Sequence, residues 1–214
     1  MTSRLDINPR TYYPLFLDIT ERKCLVVGGG KVALRKVEML LKFGARVTVV
    51  GPMLSPELLE LGEKGAIECL ERIYEKRDLD RVALVFACTD NHAVNEQVKK
   101  EASRKRLPVN VADSPGICDF IVPSIVKKGD ITIAISTSGE LPLLSKKLRE
   151  KIEEAVGDDY LAYLRVIGTV RGHLMRTVKD PRARSAIMKR IDRMTVEDVI
   201  TKGVTKIKEE LNLP

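Results

Sequence analysis

The chain has 214 residues, 44% hydrophobic, 31% charged and 4% aromatic, enough apolar material for a packed core and too much for a disordered chain. The longest apolar runs, at 24–27, 82–88 and 131–135, are strand-sized and exclude a spanning helix. With 37 Lys and Arg against 30 Asp and Glu, the net charge of +7 suits an anionic partner: nucleic acid, a phosphate-bearing cofactor or a polycarboxylate.

At the start, MTSRLDINPRTYYPLFLDI has no uninterrupted apolar stretch and no small-residue cleavage site, so no secretory signal and a cytoplasmic location are expected. KCLVVG at 23–28 reads as a strand ending in glycines, followed by a helix with Val32, Val37, Leu40 and Leu41 on one face, stopped by Gly44. RVTVV at 46–50 is β-branched strand material. Ser55 is placed to cap a short helix through Leu61, and a strand follows at 67–70. RVALVFAC at 81–88 is continuously apolar, as a strand buried on both faces would be. A helix at 92–105 and a strand at 108–111 complete the series.

This alternation predicts an α/β, doubly wound parallel sheet with right-handed crossovers. Beyond Asp113 the rhythm changes. DFIVPSIVKKGDITIAIST reads as two strands joined through Lys127-Lys128-Gly129-Asp130, and from Leu143 the chain is helical, with Leu144, Leu148, Ile152 and Val156 at helix spacing. Pro181 begins another helix, and Thr195-x-x-Asp198 predicts a capping box for the last one, ending near Asn212. The expected organisation is a βα domain at 1–113, a β-rich connector at 114–142 and a helical region at 143–214.

Gly28-Gly29-Gly30-Lys31-Val32-Ala33 is a G-x-G-x-x-A pattern directly after a strand and opening a helix, the setting of a Rossmann-like dinucleotide fingerprint. The first glycine allows the tight turn, the second lets a diphosphate approach the backbone, and Ala33 permits close helix–sheet packing. The helix N-terminus offers free N–H groups and positive potential. Gly28, Gly29, Gly30, Lys31 and Val32 are therefore candidate NAD-binding residues; a glycine turn without ligand is the plain alternative. Where an acid would take the ribose hydroxyls stands Val50-Gly51-Pro52, so backbone groups at Gly51 and Pro52 carry that role, and Arg46 and Lys23 are not placed for a 2′-phosphate. Thr89 and Asp90 follow the long apolar strand at its carboxyl end, where open α/β sheets bind ligands, and Asp113 follows the strand 108–111 in the same way. Asp-Ser-Pro is also ordinary turn chemistry. The hydroxyls of Ser136, Thr137 and Ser138, before Gly139, could bind ligand or cap the next helix.

Cysteines 24, 69, 88 and 118 form no C-x-x-C pair or metal-ligand spacing and read as reduced and structural. His92 and His173 stand far apart, so no metal site is expected. From 165 to 193 nine basic residues face two acids, either a solvated helical face or a ligand-facing one. No Tyr or Phe follows Tyr163, which argues against stacking on single-stranded nucleic acid, and no nucleic acid or membrane partner is expected.

YPLFLDITERKCLVVGGGKVALRKVEMLLKFGARVTVV, FACTDNHAVN and VNVADSPGICDFIVPSIVKKGDITIAISTSGELPLLSKKLREKIE together resemble the precorrin-2 dehydrogenase family of sirohaem synthesis, from Tyr13 to about Glu154. The resemblance implies NAD-dependent oxidation of precorrin-2 to sirohydrochlorin, in some members with ferrous iron insertion as well. It further implies a homodimer intertwined through the segment after the nucleotide domain. It places Asp113 at the family's acid/base aspartate and Thr137 where some members carry a serine in the tetrapyrrole pocket, with Ser124, Ser136, Ser138 and Gly139 as further substrate-binding candidates. Lys127, Lys128, Arg149 and Arg171 become candidate partners of the substrate's carboxylates. No uroporphyrinogen methyltransferase domain is expected after the helical region. The alternative reading is an NAD(H)-sensing regulatory module without catalysis.

Overall fold

A computed structural model of the chain describes residues 11–112 and 114–213, in two compact units divided between Val122 and Pro123. No helix among the described residues is long and apolar enough to cross a membrane.

The first unit is built on five parallel strands: β1 (Lys23–Val27), β2 (Arg46–Val50), β3 (Ile67–Leu70), β4 (Leu84–Ala87) and β5 (Val109–Val111). Their spatial order is β3-β2-β1-β4-β5, the doubly wound arrangement whose direction reverses between β1 and β4. Helices α1 (Lys31–Lys42), α2 (Pro56–Glu63) and α3 (His92–Arg104) make the crossovers. Alternation along the strands divides the core in two. Cys24, Val26, Val47, Val49 and Phe86 pack with α1 and α2, whereas Leu25, Val27, Val85, Val109 and Val111 pack with α3. Phe86 is fully buried, worth about 2–3 kcal/mol of transfer free energy, and meets Phe120 edge-on at 5.4 Å.

Local departures from the expected elements have local causes. The strand expected at 81–88 shortens to Leu84–Ala87 because the chain turns at Arg81 with φ at 58° and pairs with β1 only from Leu84. Ser55 holds the N-cap position of α2, but its backbone carbonyl, not its hydroxyl, accepts from Leu58 and Leu59 N–H. The β5 edge is closed by its own chain: the Asp119 carboxylate accepts from Val109 N–H at 3.0 Å, and Cys118 Sγ accepts from Val111 N–H at 3.2 Å. None of the four cysteines forms a disulfide, and burial pushes Cys24 and Cys69 up from the usual thiol range.

The second unit holds the hairpin β6 (Ser124–Lys128) and β7 (Ile131–Ile135), with a two-residue turn at Gly129 and Asp130, then four helices. These are α4 (Pro142–Ala155), α5 (Asp158–Thr177), α6 (Pro181–Ile191) and α7 (Val196–Glu210). Asp180 caps α6, and Thr195 with Asp198 forms the expected capping box on α7. The last helix is not continuous: Gly203, at φ 65°, breaks it into two pieces. Val170, Ile191, Val199, Ile207 and Leu211 form the core of this helical part.

One ion pair steadies the connection after β3. Arg72 donates through both terminal nitrogens to Asp78, at 2.6 and 2.9 Å, and Asp78 also accepts from Glu75 N–H at 2.8 Å. Burial pushes the Asp78 carboxyl up, but the Arg72 and Glu75 hydrogen bonds outweigh it and hold it below the usual carboxylate range. A carboxyl lowered in the folded state stabilises the fold above its unfolded pKa, and that stability is lost as pH falls through the folded value. Asp78→Asn is expected to cost about 2–3 kcal/mol near neutral pH and to flatten the acid limb of the stability curve, as read by thermal melts across pH.

Candidate functional site

The carboxyl ends of β1, β2 and β4 converge at the point where strand order reverses, and their three loops touch through backbone atoms. Gly28 has φ +120° and lies so close to the β4 end that a Cβ there would stand 2.5 Å from Cys88 O and 3.1 Å from Thr89 N. Gly29 is tighter still: a Cβ would meet Met53 O at 1.9 Å and Leu54 Cα at 2.9 Å. Gly51 N–H donates to Leu70 O, Ser55 N–H to Gly29 O and Gly28 N–H to Val50 O, locking the loops in register.

Gly30 is different. A Cβ there would meet no protein atom within 4 Å, so the third glycine borders open space at the N-terminus of α1. That terminus has no side-chain cap and no acid in its first turn, and Lys31 and Val32 are exposed beside it. Helix dipole, uncapped N–H groups and the Lys31 cation together make a site for a diphosphate. Ala33, fully buried, lets α1 lie close on the sheet. Gly51 is buried while Pro52 is exposed, and no carboxylate stands at the end of β2. These residues fit a bound dinucleotide.

Thr89 is held by the last residue of the FACTDNHAVN stretch, which carries the family resemblance but is not among the candidate site residues. Asn95, buried on α3, accepts from Thr89 N–H at 3.2 Å and from Thr89 Oγ1 at 2.8 Å, and returns a hydrogen bond from Nδ2 to Thr89 O at 2.9 Å. An amide on the buried face of an otherwise amphipathic helix, six residues after Thr89, was the available signal. Asp90 is exposed at the tip of this loop. Asp113 lies outside the described residues; the preceding Ala112 donates its N–H to Ala87 O.

The other candidates belong to the second unit. Ser124 pairs with Ile135 across the hairpin, which brings it to the end from which Ser136, Thr137, Ser138 and Gly139 continue. Ser136 Oγ accepts from Ser138 N–H at 3.0 Å, and Thr137 Oγ1 accepts from Leu141 N–H and meets Ser145 Oγ at 3.1 Å. Lys127 donates to Gly129 O, Lys128 to the carbonyls of Glu153 and Val156 at the end of α4, and Arg149 pairs with Glu153. Those hydroxyls and three cations thus have internal partners. Among the described residues no cluster of His, Cys, Asp or Glu could hold a metal ion.

Comparison with known proteins gives concordant relatives. The chain is 44% identical over 165 residues to the siroheme synthase of Thioalkalivibrio sulfidiphilus, covering 77% of this chain and 33% of that protein. It is 47% identical over 142 residues to siroheme synthase 1 of Cronobacter sakazakii, covering 66% and 30%. The chain therefore spans about a third of the length of these curated relatives. A solved structure titled SirC, precorrin-2 dehydrogenase, superimposes with a TM-score of 0.74 at 29% identity, covering 94% of this chain and 98% of that one.

Two glycine variants separate fold from ligand. Gly30→Ala is expected to leave thermal stability within about 0.5 kcal/mol of the parent while weakening NAD+ binding at least tenfold by calorimetry, since only a ligand meets the new methyl. Gly29→Ala, forced against the Met53 carbonyl, is expected to lower both stability and binding. A family model described as "Putative NAD(P)-binding" matches residues 15–124, the stretch that carries this cradle, and the chain belongs to that family.

Proposed function

We propose that the protein oxidises precorrin-2 to sirohydrochlorin with NAD+. The observation that carries this reading is the near full-length superposition on a precorrin-2 dehydrogenase, with a dinucleotide cradle at the sheet's switch point. The relatives named above are enzymes, which weighs against a non-catalytic NAD(H) sensor. Bound NAD+ supplies the hydride acceptor. The backbone of Gly28–Gly30 and the start of α1 hold its diphosphate, Gly51 and Pro52 border the ribose, and Thr89, fixed by Asn95, lines the β4 side. Asp113 accepts the proton that leaves the macrocycle. Its position in sequence, directly after Ala112 at the β5 end, supports that role. Ser124 and the segment 136–139 are the proposed contacts for the tetrapyrrole, whose anionic arms suit a chain of charge +7.

The same reading includes a homodimer formed through the connector. A two-stranded hairpin is marginal alone, and α4 exposes Leu143, Leu144 and Leu148 beside it. The proposed functional division is a nucleotide domain at 1–113, a dimerisation segment at 114–142 and a helical domain at 143–214. A cytoplasmic location accords with the four unbridged cysteines.

Anaerobic incubation with precorrin-2 and NAD+ is expected to produce the sirohydrochlorin spectrum with stoichiometric NADH; adding ferrous iron tests chelation separately. Asp113→Asn is expected to slow turnover by about 10²–10⁴-fold with NAD+ affinity unchanged. Near-normal turnover would remove Asp113 from the chemistry. In sedimentation equilibrium the parent is expected at twice the chain mass, and Leu143→Asp with Leu144→Asp at the monomer mass.

A further inference from the structure

A long run of positive charge, nine basic residues against two acids at 165–193, belongs to the second unit. Within the second unit, the C-terminal half of α5 and the first turns of α6 flank an open cavity of about 350 Å³. Leu174, fully buried, lines it together with Pro181 and Met188; Arg171, Arg184 and the half-exposed Met175 complete its wall, with the Ser185 hydroxyl. No acidic side chain lines it. No ion pair among the described residues takes up Arg171 or Arg184. Among the described residues, Arg184 Nη1 donates to the Met175 sulfur, at 3.5 Å, a weak acceptor. Asp180, next to the cavity in sequence, spends both carboxylate oxygens on the N–H groups of Arg182 and Ala183.

Two guanidinium groups without anions, on different helices, suit planar carboxylates, which they bind bidentately. Two thioethers over an apolar recess suit an aromatic ring, because sulfur packs favourably at ring edges. The volume lies at the small end of ligand cavities, room for one substituted ring and not for a macrocycle. A merely solvated basic face would need no apolar recess beneath its cations. We propose that this cavity binds an aromatic carboxylate, one ring bearing one or two carboxylate arms, between Arg171 and Arg184 with the ring against Met175 and Met188. The site is built from second-unit residues alone and does not depend on the dehydrogenase reading. The same chemistry is met by a free aromatic acid and by one pyrrole edge of a tetrapyrrole polycarboxylate.

The test uses the full chain with ¹³C-labelled methionine methyls. Homophthalate, an aromatic ring with two carboxylate arms, is expected to shift the Met175 and Met188 methyls saturably. Met53, exposed in the first unit, and Met194, packed in the helical core, should stay in place. Adipate, a dicarboxylate without a ring, should bind at least tenfold more weakly. Arg171→Gln, at an exposed position, and Arg184→Gln should each weaken homophthalate at least tenfold, with the Met194 signal unmoved as proof of folding. Uroporphyrin shifting the same two methyls would assign the site to a macrocycle edge, whereas homophthalate alone doing so would assign it to a free acid. The proposal is overturned if neither probe moves those methyls at millimolar concentration, if adipate binds as well as homophthalate, or if both glutamine variants bind like the parent.

Discussion

The site depends on steric exclusion between backbones. At Gly28 and Gly29 the β1 loop comes so near the β4 end and the β2 loop that a single methyl would overlap carbonyl atoms at 2.5 and 1.9 Å. That closeness brings three loops from three strands into one surface, and hydrogen bonds from Ser55 to Gly29 and from Gly28 to Val50 hold it there. Because main-chain atoms do the shaping, side-chain change around the rim is tolerated while change at these two glycines is not. Gly30 escapes this constraint, and the room left there is what a ligand can use.

Charge then works on a surface already shaped. The α1 N-terminus carries no carboxylate in its first turn, so its dipole is left for an anion. Elsewhere the chain consumes many of its cations internally: Lys128 closes the end of α4, Lys99 pairs with Asp119, and Arg72 is bound by Asp78. The net charge of +7 therefore overstates the cations available to ligands, and the ones left unpaired on α5 and α6 carry more information than the total.

The nucleotide unit was largely legible in the sequence because buried parallel strands are written as short apolar runs and the glycine loop sits between a strand and a helix. What escaped notice was decided by three-dimensional proximity. Asn95 belongs to the stretch that carries the family resemblance, but its hydrogen bonds to Thr89 are not written in the sequence. Ser55 has the right residue type for a cap, yet its hydroxyl makes no capping hydrogen bond. The compact unit continues through residues 114–122 because Asp119, Cys118 and Phe120 fasten that stretch to β5 and the core, contacts that composition does not signal. In the helical region, Gly203 read as an ordinary helical residue, and only its left-handed backbone exposes the break.

The fastening of residues 118–119 along β5 has an effect on what the molecule avoids. A border strand usually presents a comb of unsatisfied amides onto which a foreign strand can zip, the first step of fibrillar growth. Here the donors of Val109 and Val111 are already taken, by a carboxylate and a sulfur from ten and seven residues downstream. On this flank the sheet is chemically finished, so a crowded cell meets a margin with nothing to template.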